Sequence, residues 1–148
     1  MQKLTSIVVL LVLGTMPLAA QQRNIDGLKE EADKAAGGHQ ARLCSELAQY
    51  LVGIANQEFT DGNVVQGQAT VQDILKYAQK ARDAAVKSRD KMKETEIRLR
   101  ATQRQLEGVK RTLAVEDRPP LDAVEKKIEQ FRQDLLDAMF GPKKKDKT

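Results

Sequence analysis

The sequence predicts an all-α protein: a long central heptad helix with shorter antiparallel helices packed at each end, a helical hairpin or coiled-coil-like bundle. Three observations carry this. The chain of 148 residues is rich in Ala, Gln, Lys, Glu, Arg and Leu, all strong helix formers. Aromatic residues make up only 3% and Trp is absent, which suits narrow seams between paired helices better than a wide core. Beyond residue 20, apolar side chains recur at spacings of three and four, and no β-branched or aromatic run of strand length occurs.

Residues 1–20 have the order of a cleavable secretory signal peptide. Lys3 supplies a positive charge and Ile7-Val8-Val9-Leu10-Leu11-Val12-Leu13 an apolar run. Gly14, Pro17 and the pair Ala19-Ala20 then give a helix break and small residues at a cleavage point. The run is shorter than the roughly 20 apolar residues that a bilayer span needs. The expected location is the periplasm or the cell exterior.

Residues 21–38 are expected to hold a short helix and a Gly-Gly linker. Asn24 suits an N-cap, Ile25, Leu28, Ala32 and Ala35 follow, and Gly37-Gly38 ends the element. A hairpin or coiled-coil domain then spans 39–141. Its first helix runs from about His39 to Phe59, with Cys44, Leu47, Leu51 and Ile54 on one face. Asp61-Gly62-Asn63 makes a turn.

The next stretch is the main feature. Positions seven apart read Val71, Ala78, Ala85, Met92, Leu99, Leu106 and Leu113. Their companions read Ile74, Ala81, Ser88, Thr95, Thr102 and Val109. No proline interrupts residues 64–118, and Gly108 falls off the stripe. A continuous helix there would be roughly 75 Å long. Pro119-Pro120 ends it and opens a last helix with Leu121, Val124, Ile128, Phe131, Leu135 and Ala138 on one seam. Gly141-Pro142 closes that helix, and 142–148 is expected to be a disordered basic tail.

Short connections make neighbouring helices antiparallel. The 39–59 helix is expected to fold back on residues 66–85, and the last helix on 96–114. That leaves residues 86–95 uncovered, where the seam residues are Ser88, Met92 and Thr95. The pair formed by 39–59 and the following helix resembles a single tetratricopeptide hairpin. The Ala55, Phe59, Gly62 ending followed by Ala69, Leu75, Ala78 and Ala81 carries the resemblance over about 40 residues. No second copy follows at a spacing of about 34, so a repeat array is not expected.

Charge is unevenly spread. Residues 21–75 hold 4 basic and 8 acidic side chains, residues 76–111 hold 12 and 5, and residues 112–142 hold 4 and 7. Acidic helices packed on a basic one would fix antiparallel register. The functional reading is an exposed basic belt of Lys87, Arg89, Lys91, Lys93, Arg98 and Arg100. Such a belt suits a protein partner, an acidic arm of a second copy, an anionic lipid or an envelope polymer. Nucleic acid is disfavoured by export and by the lack of interleaved aromatics.

Catalytic, cofactor and metal residues are not expected. His39 is the only histidine and Cys44 the only cysteine, and their spacing fits no zinc motif. Nucleophile signatures and phosphate-cradling loops are missing. Cys44 falls in the apolar stripe and is expected to be buried or paired with a second chain. The function expected is therefore an exported interaction or scaffold protein that self-associates, since seams such as Leu99/Leu106/Leu113 gain from a second copy. Small size, export, a pI near 9.2 and helical arms also resemble the basic periplasmic holdase chaperones, which implies client binding as an alternative. Binding of an anionic lipid or polymer is the third reading.

Overall fold

A computed structural model describes residues 18–142, with side chains from residue 24 onward. Residues 1–17 of the expected signal peptide and residues 143–148 of the expected basic tail lie outside the described residues. The described chain is all-helical: α1 (Leu18–Lys34), α2 (Gly37–Thr60), α3 (Val64–Ser88), α4 (Met92–Thr112) and α5 (Pro119–Phe140), with a 3-10 turn at Val115–Asp117. None of these helices is long and apolar enough to cross a membrane.

Helix boundaries follow the punctuation closely in most places. Gly37 (φ +59) and Gly62 (φ +82) hold the left-handed conformations of two turns, where a side chain would be strained. Pro119 and Pro120 occupy the first turn of α5, where their missing N–H groups break no hydrogen bond. The first helix differs from expectation. Asn24 does not cap it; α1 begins at Leu18, so the expected boundary at residue 20 falls inside a helix. The sequence Leu18-Ala19-Ala20-Gln21-Gln22 contains no breaker, and these residues extend a helix at little cost.

The larger difference is in the centre. The expected continuous helix is two helices, with the chain reversing through Arg89, Asp90 and Lys91. Arg89 (φ 57) and Lys91 (φ 60) both adopt the left-handed region. Two antiparallel hairpins result. In α2–α3, the Phe59 ring lies on Gly67 at one end and Gly37 meets Ser88 at the other. In α4–α5, Lys110 bridges Asp122 and Glu125 at one end and Glu96 meets Arg132 at the other.

The reversal then lays one hairpin against the other. Arg98 of α4 reaches Glu46 of α2 at 3.5 Å. Arg82 of α3 pairs with Asp134 of α5, and Arg89 donates to the Ala138 carbonyl at 3.3 Å. α1 packs beside α2 and α3, tied by Lys29–Asp73 and Lys80–Asp33. The seams merge into one core that includes Leu51, Ile74, Tyr77, Leu99, Leu106, Ile128 and Leu135. Thr95, expected on an uncovered seam, is buried in it, as is Thr102.

Magnitudes explain why the chain folds back. Each left-handed non-glycine residue costs about 1–2 kcal/mol. Each Leu or Ile moved from a half-open seam to full burial returns up to about 1.5–3 kcal/mol. Leu99, Leu106, Leu121, Ile128 and Leu135 are all at 0% exposure, more than enough to outweigh two strained residues.

Glycines test this packing. A Cβ on Gly67 would lie 2.7–2.9 Å from the Phe59 ring, whereas one on Gly53 or Gly108 would meet nothing within 4 Å. Gly67→Ala is therefore expected to destabilise by about 1–3 kcal/mol through overpacking. Gly53→Ala and Gly108→Ala should each stabilise by about 0.5–1 kcal/mol. Urea denaturation of the three variants measures the contrast.

Candidate functional site

The reversal creates a groove at one end of the bundle. Its walls come from the end of α3, the start of α4 and the last turns of α5. Val86, Met92, Ile97, Leu136, Ala138, Met139 and Phe140 supply apolar surface, and the cations Lys87, Arg89, Lys93 and Arg100 stand among them with the carboxylates Glu96 and Asp137. The space is about 1670 Å³ and open to solvent. Ile97 is 52% exposed and Phe140 78%, and both stand on this one concave surface.

The six residues of the expected belt are not one continuous stripe. The reversal splits them. Lys87, in the last turn of α3, and Lys93, in the first turn of α4, are exposed and make no ion pair among the described residues. Arg89 lies on the same rim but donates to the Ala138 carbonyl. Arg100 also lines the groove, with its guanidinium committed to Glu96 at 2.8 Å. Lys91 pairs with Glu94 at 3.3 Å, and Arg98 turns to Glu46 of α2. Lys91 and Arg98 therefore stand apart from the groove.

Of the apolar wall from α5, the heptad pattern singles out only Ala138. Leu135 and Ala138 belong to the heptad seam, but Leu136, Met139 and Phe140 sit off it. The run Leu135-Leu136 followed by Ala138-Met139-Phe140 spreads apolar residues over more than half of the circumference of the last turns of α5, well beyond one seam. An exposed terminal turn has no reason for that, so this was the available signal.

Below the rim lies a buried charge cluster. Glu96 is only 3% exposed. It accepts from Arg100 Nη2 at 2.8 Å and from Arg132 Nε and Nη2 of α5 at 3.1 and 3.0 Å. Arg132 also donates to Gln103 and Glu129. Burial pushes the Glu96 carboxyl up, but the two guanidinium groups outweigh it and hold it below its ordinary range. The cluster fixes α4 to α5 beneath the groove.

The remaining reactive side chains are placed away from it. His39 is exposed beside Arg42. Cys44 is fully buried next to the Ala32 carbonyl, and burial pushes its thiol up to about 11. Its position answers the choice between a buried and a paired thiol in favour of burial. Among the described residues, no group of three or more His, Cys, Asp or Glu is arranged to hold a metal ion.

Two outcomes follow from these environments. Because the folded Glu96 carboxyl titrates below its unfolded value, its contribution is full above the ordinary glutamate range and is lost as pH falls through the folded value. Glu96→Gln should flatten the acid side of a stability-versus-pH curve. Its loss at neutral pH should be about 3 kcal/mol, the low end for breaking a buried pair, since Arg132 keeps Glu129. Cys44 should resist a thiol reagent in the native state and react at the rate of unfolding; stoichiometric labelling without unfolding would contradict its burial.

Compared with known protein families, with curated proteins and with solved structures, the chain matches none of them.

Proposed function

We propose that this chain is an exported helical interaction protein that works by contact rather than catalysis, and that its docking face is the groove at the reversal. The occupant is an amphipathic helix of a partner protein whose apolar face is flanked by acidic residues. The observation that carries this is the joining of exposed Ile97 and Phe140 to the unpaired cations Lys87 and Lys93 around one concave surface. The α4 wall from Met92 to Arg100 is about 12 Å long, two helical turns, which matches an anchor spacing of three, four and seven residues.

Met92 and Met139 support a second reading, a holdase-type chaperone. Unbranched thioether side chains adapt to many apolar partners, so a Met-containing groove suits varied clients. An anionic lipid or envelope polymer has less support, because Lys91, Arg98 and Arg100 are engaged within the molecule and the free charge on the rim is small.

Fluorescence anisotropy with a labelled helical peptide tests the docking reading. The peptide carries Leu and Phe on one face and Glu beside them. Binding is expected, weakening as salt rises. Ile97→Glu and Phe140→Ala should each lower affinity about tenfold, or ~1.4 kcal/mol. Equal binding of a peptide with Lys in place of Glu would overturn the reading. So would binding of acidic vesicles with none of the peptide. Suppression of client aggregation that ignores peptide charge would favour the holdase.

A further inference from the structure

Three features meet at the reversal. First, the heptad continues through it without a break in register: Ala85 to Met92 and Ser88 to Thr95 are steps of seven. A folded-back pair places no demand on the spacing across its turn, whereas a continuous helix does. Second, two of the other turns carry Gly at positive φ (Gly37 and Gly62), and α5 opens on two prolines, but this reversal uses Arg89 and Lys91 in left-handed conformations. Both residues are good helix formers and poor left-handed ones. Third, Lys91 is the N-cap of α4 and holds the left-handed region instead of the extended one usual for that position, so the break starts α4 on a strained residue.

From this juxtaposition we propose that residues 88–92 are a hinge, and that the partner for the surfaces it brings together is a second copy of this chain. With Arg89 and Lys91 returned to right-handed helix, α3 and α4 join into one helix of about 75 Å. The α4–α5 hairpin then leaves its own α2–α3 hairpin and packs on that of the other copy. Arg98–Glu46 and Arg82–Asp134 lie outside the hinge and re-form between chains, so the swapped dimer keeps those monomer contacts and sheds the backbone strain, while the Arg89–Ala138 hydrogen bond belongs to the hinge and is given up. Holding the monomer closed is the docking of Asp90 against Gly38, at the start of α2, where any Cβ would strike the Asp90 carboxylate. A negative charge at that helix N-terminus is favourable.

The inference rests on the reading that the protein works by contact with another polypeptide, but it needs no occupant in the groove. Its test is the molar mass of two double variants over a concentration series. Arg89→Ala with Lys91→Ala favours helix and disfavours left-handed backbone, and should raise the dimer fraction at least tenfold. Arg89→Gly with Lys91→Gly does the reverse and should be monomeric. Spin labels on Gly53→Cys and Gly108→Cys, which face the same α2–α4 gap, distinguish swapping from simple association. In labelled chains diluted with excess unlabelled protein, the dimer should show a long intrachain distance and the monomer a short one. Dimers with an unchanged short distance would overturn the proposal, as would equal masses for the Ala and Gly variants. Both readouts are independent of peptide binding, so failure of the groove reading and failure of the hinge are separately visible.

Discussion

The reversal at Arg89–Lys91 brings α4 alongside α2 and α5 alongside α3, and the contacts between the two hairpins depend on it. Asp90 at its centre sits against the start of α2. Gly37 and Gly38 open α2 there for two different reasons: Gly37 holds a positive φ, and Gly38, without a side chain, lets the Asp90 carboxylate approach closely. The strain of two left-handed cationic residues is tolerated because burial of Leu99, Leu106, Ile128 and Leu135 outweighs it. One short turn thus decides whether this chain is a rod with two arms or a bundle with one core.

Much of that bundle was legible in the residues. Heptad spacing identified Val71, Ile74, Ala78, Ala81, Ala85, Leu99, Thr102, Leu106 and Val109 as inward-facing, and all of them are buried. The turn at Asp61-Gly62-Asn63 and the α5 start at Pro119-Pro120 were readable because Gly and Pro act locally. The reversal was not readable as such. Ser88, Met92 and Thr95 marked a weak seam, but a weak seam fits both an uncovered helix and a break. Arg89 and Lys91 carry no turn signature, and only the energy of merging two seams puts them in left-handed conformations. That energy is tertiary and leaves no local mark.

The charge pattern was read correctly as uneven but incorrectly as one belt. A straight helix would present Lys87, Lys91 and Arg98 on one flank of the seam and Arg89, Lys93 and Arg100 on the other. The fold instead uses the same residues for different ends. Arg98 and Arg100 neutralise carboxylates of α2 and α4, while Lys87 and Lys93 stay exposed on the groove. Arg100 and Arg132 share the buried Glu96 carboxylate, and Arg132 also reaches the exposed Glu129, so the two guanidinium groups are balanced by two carboxylates. Desolvation makes such a cluster expensive unless every partner is in place, so it contributes more to fixing the register of α4 on α5 than to raw stability.

Groove and hinge are made of the same residues, and this links them thermodynamically. Val86, Lys87 and Arg89 come from one side of the reversal, Met92, Lys93 and Ile97 from the other. Straightening residues 88–92 moves the two sets onto one helix and dismantles the concave surface. An occupant that binds the groove and not the straight helix must therefore favour the folded-back chain, by an amount set only by its difference in affinity for the two forms. By the same reciprocity, anything that straightens the hinge weakens binding at the groove by an equal factor. Two turn residues in left-handed conformations would then serve as the point where partner binding and self-association compete.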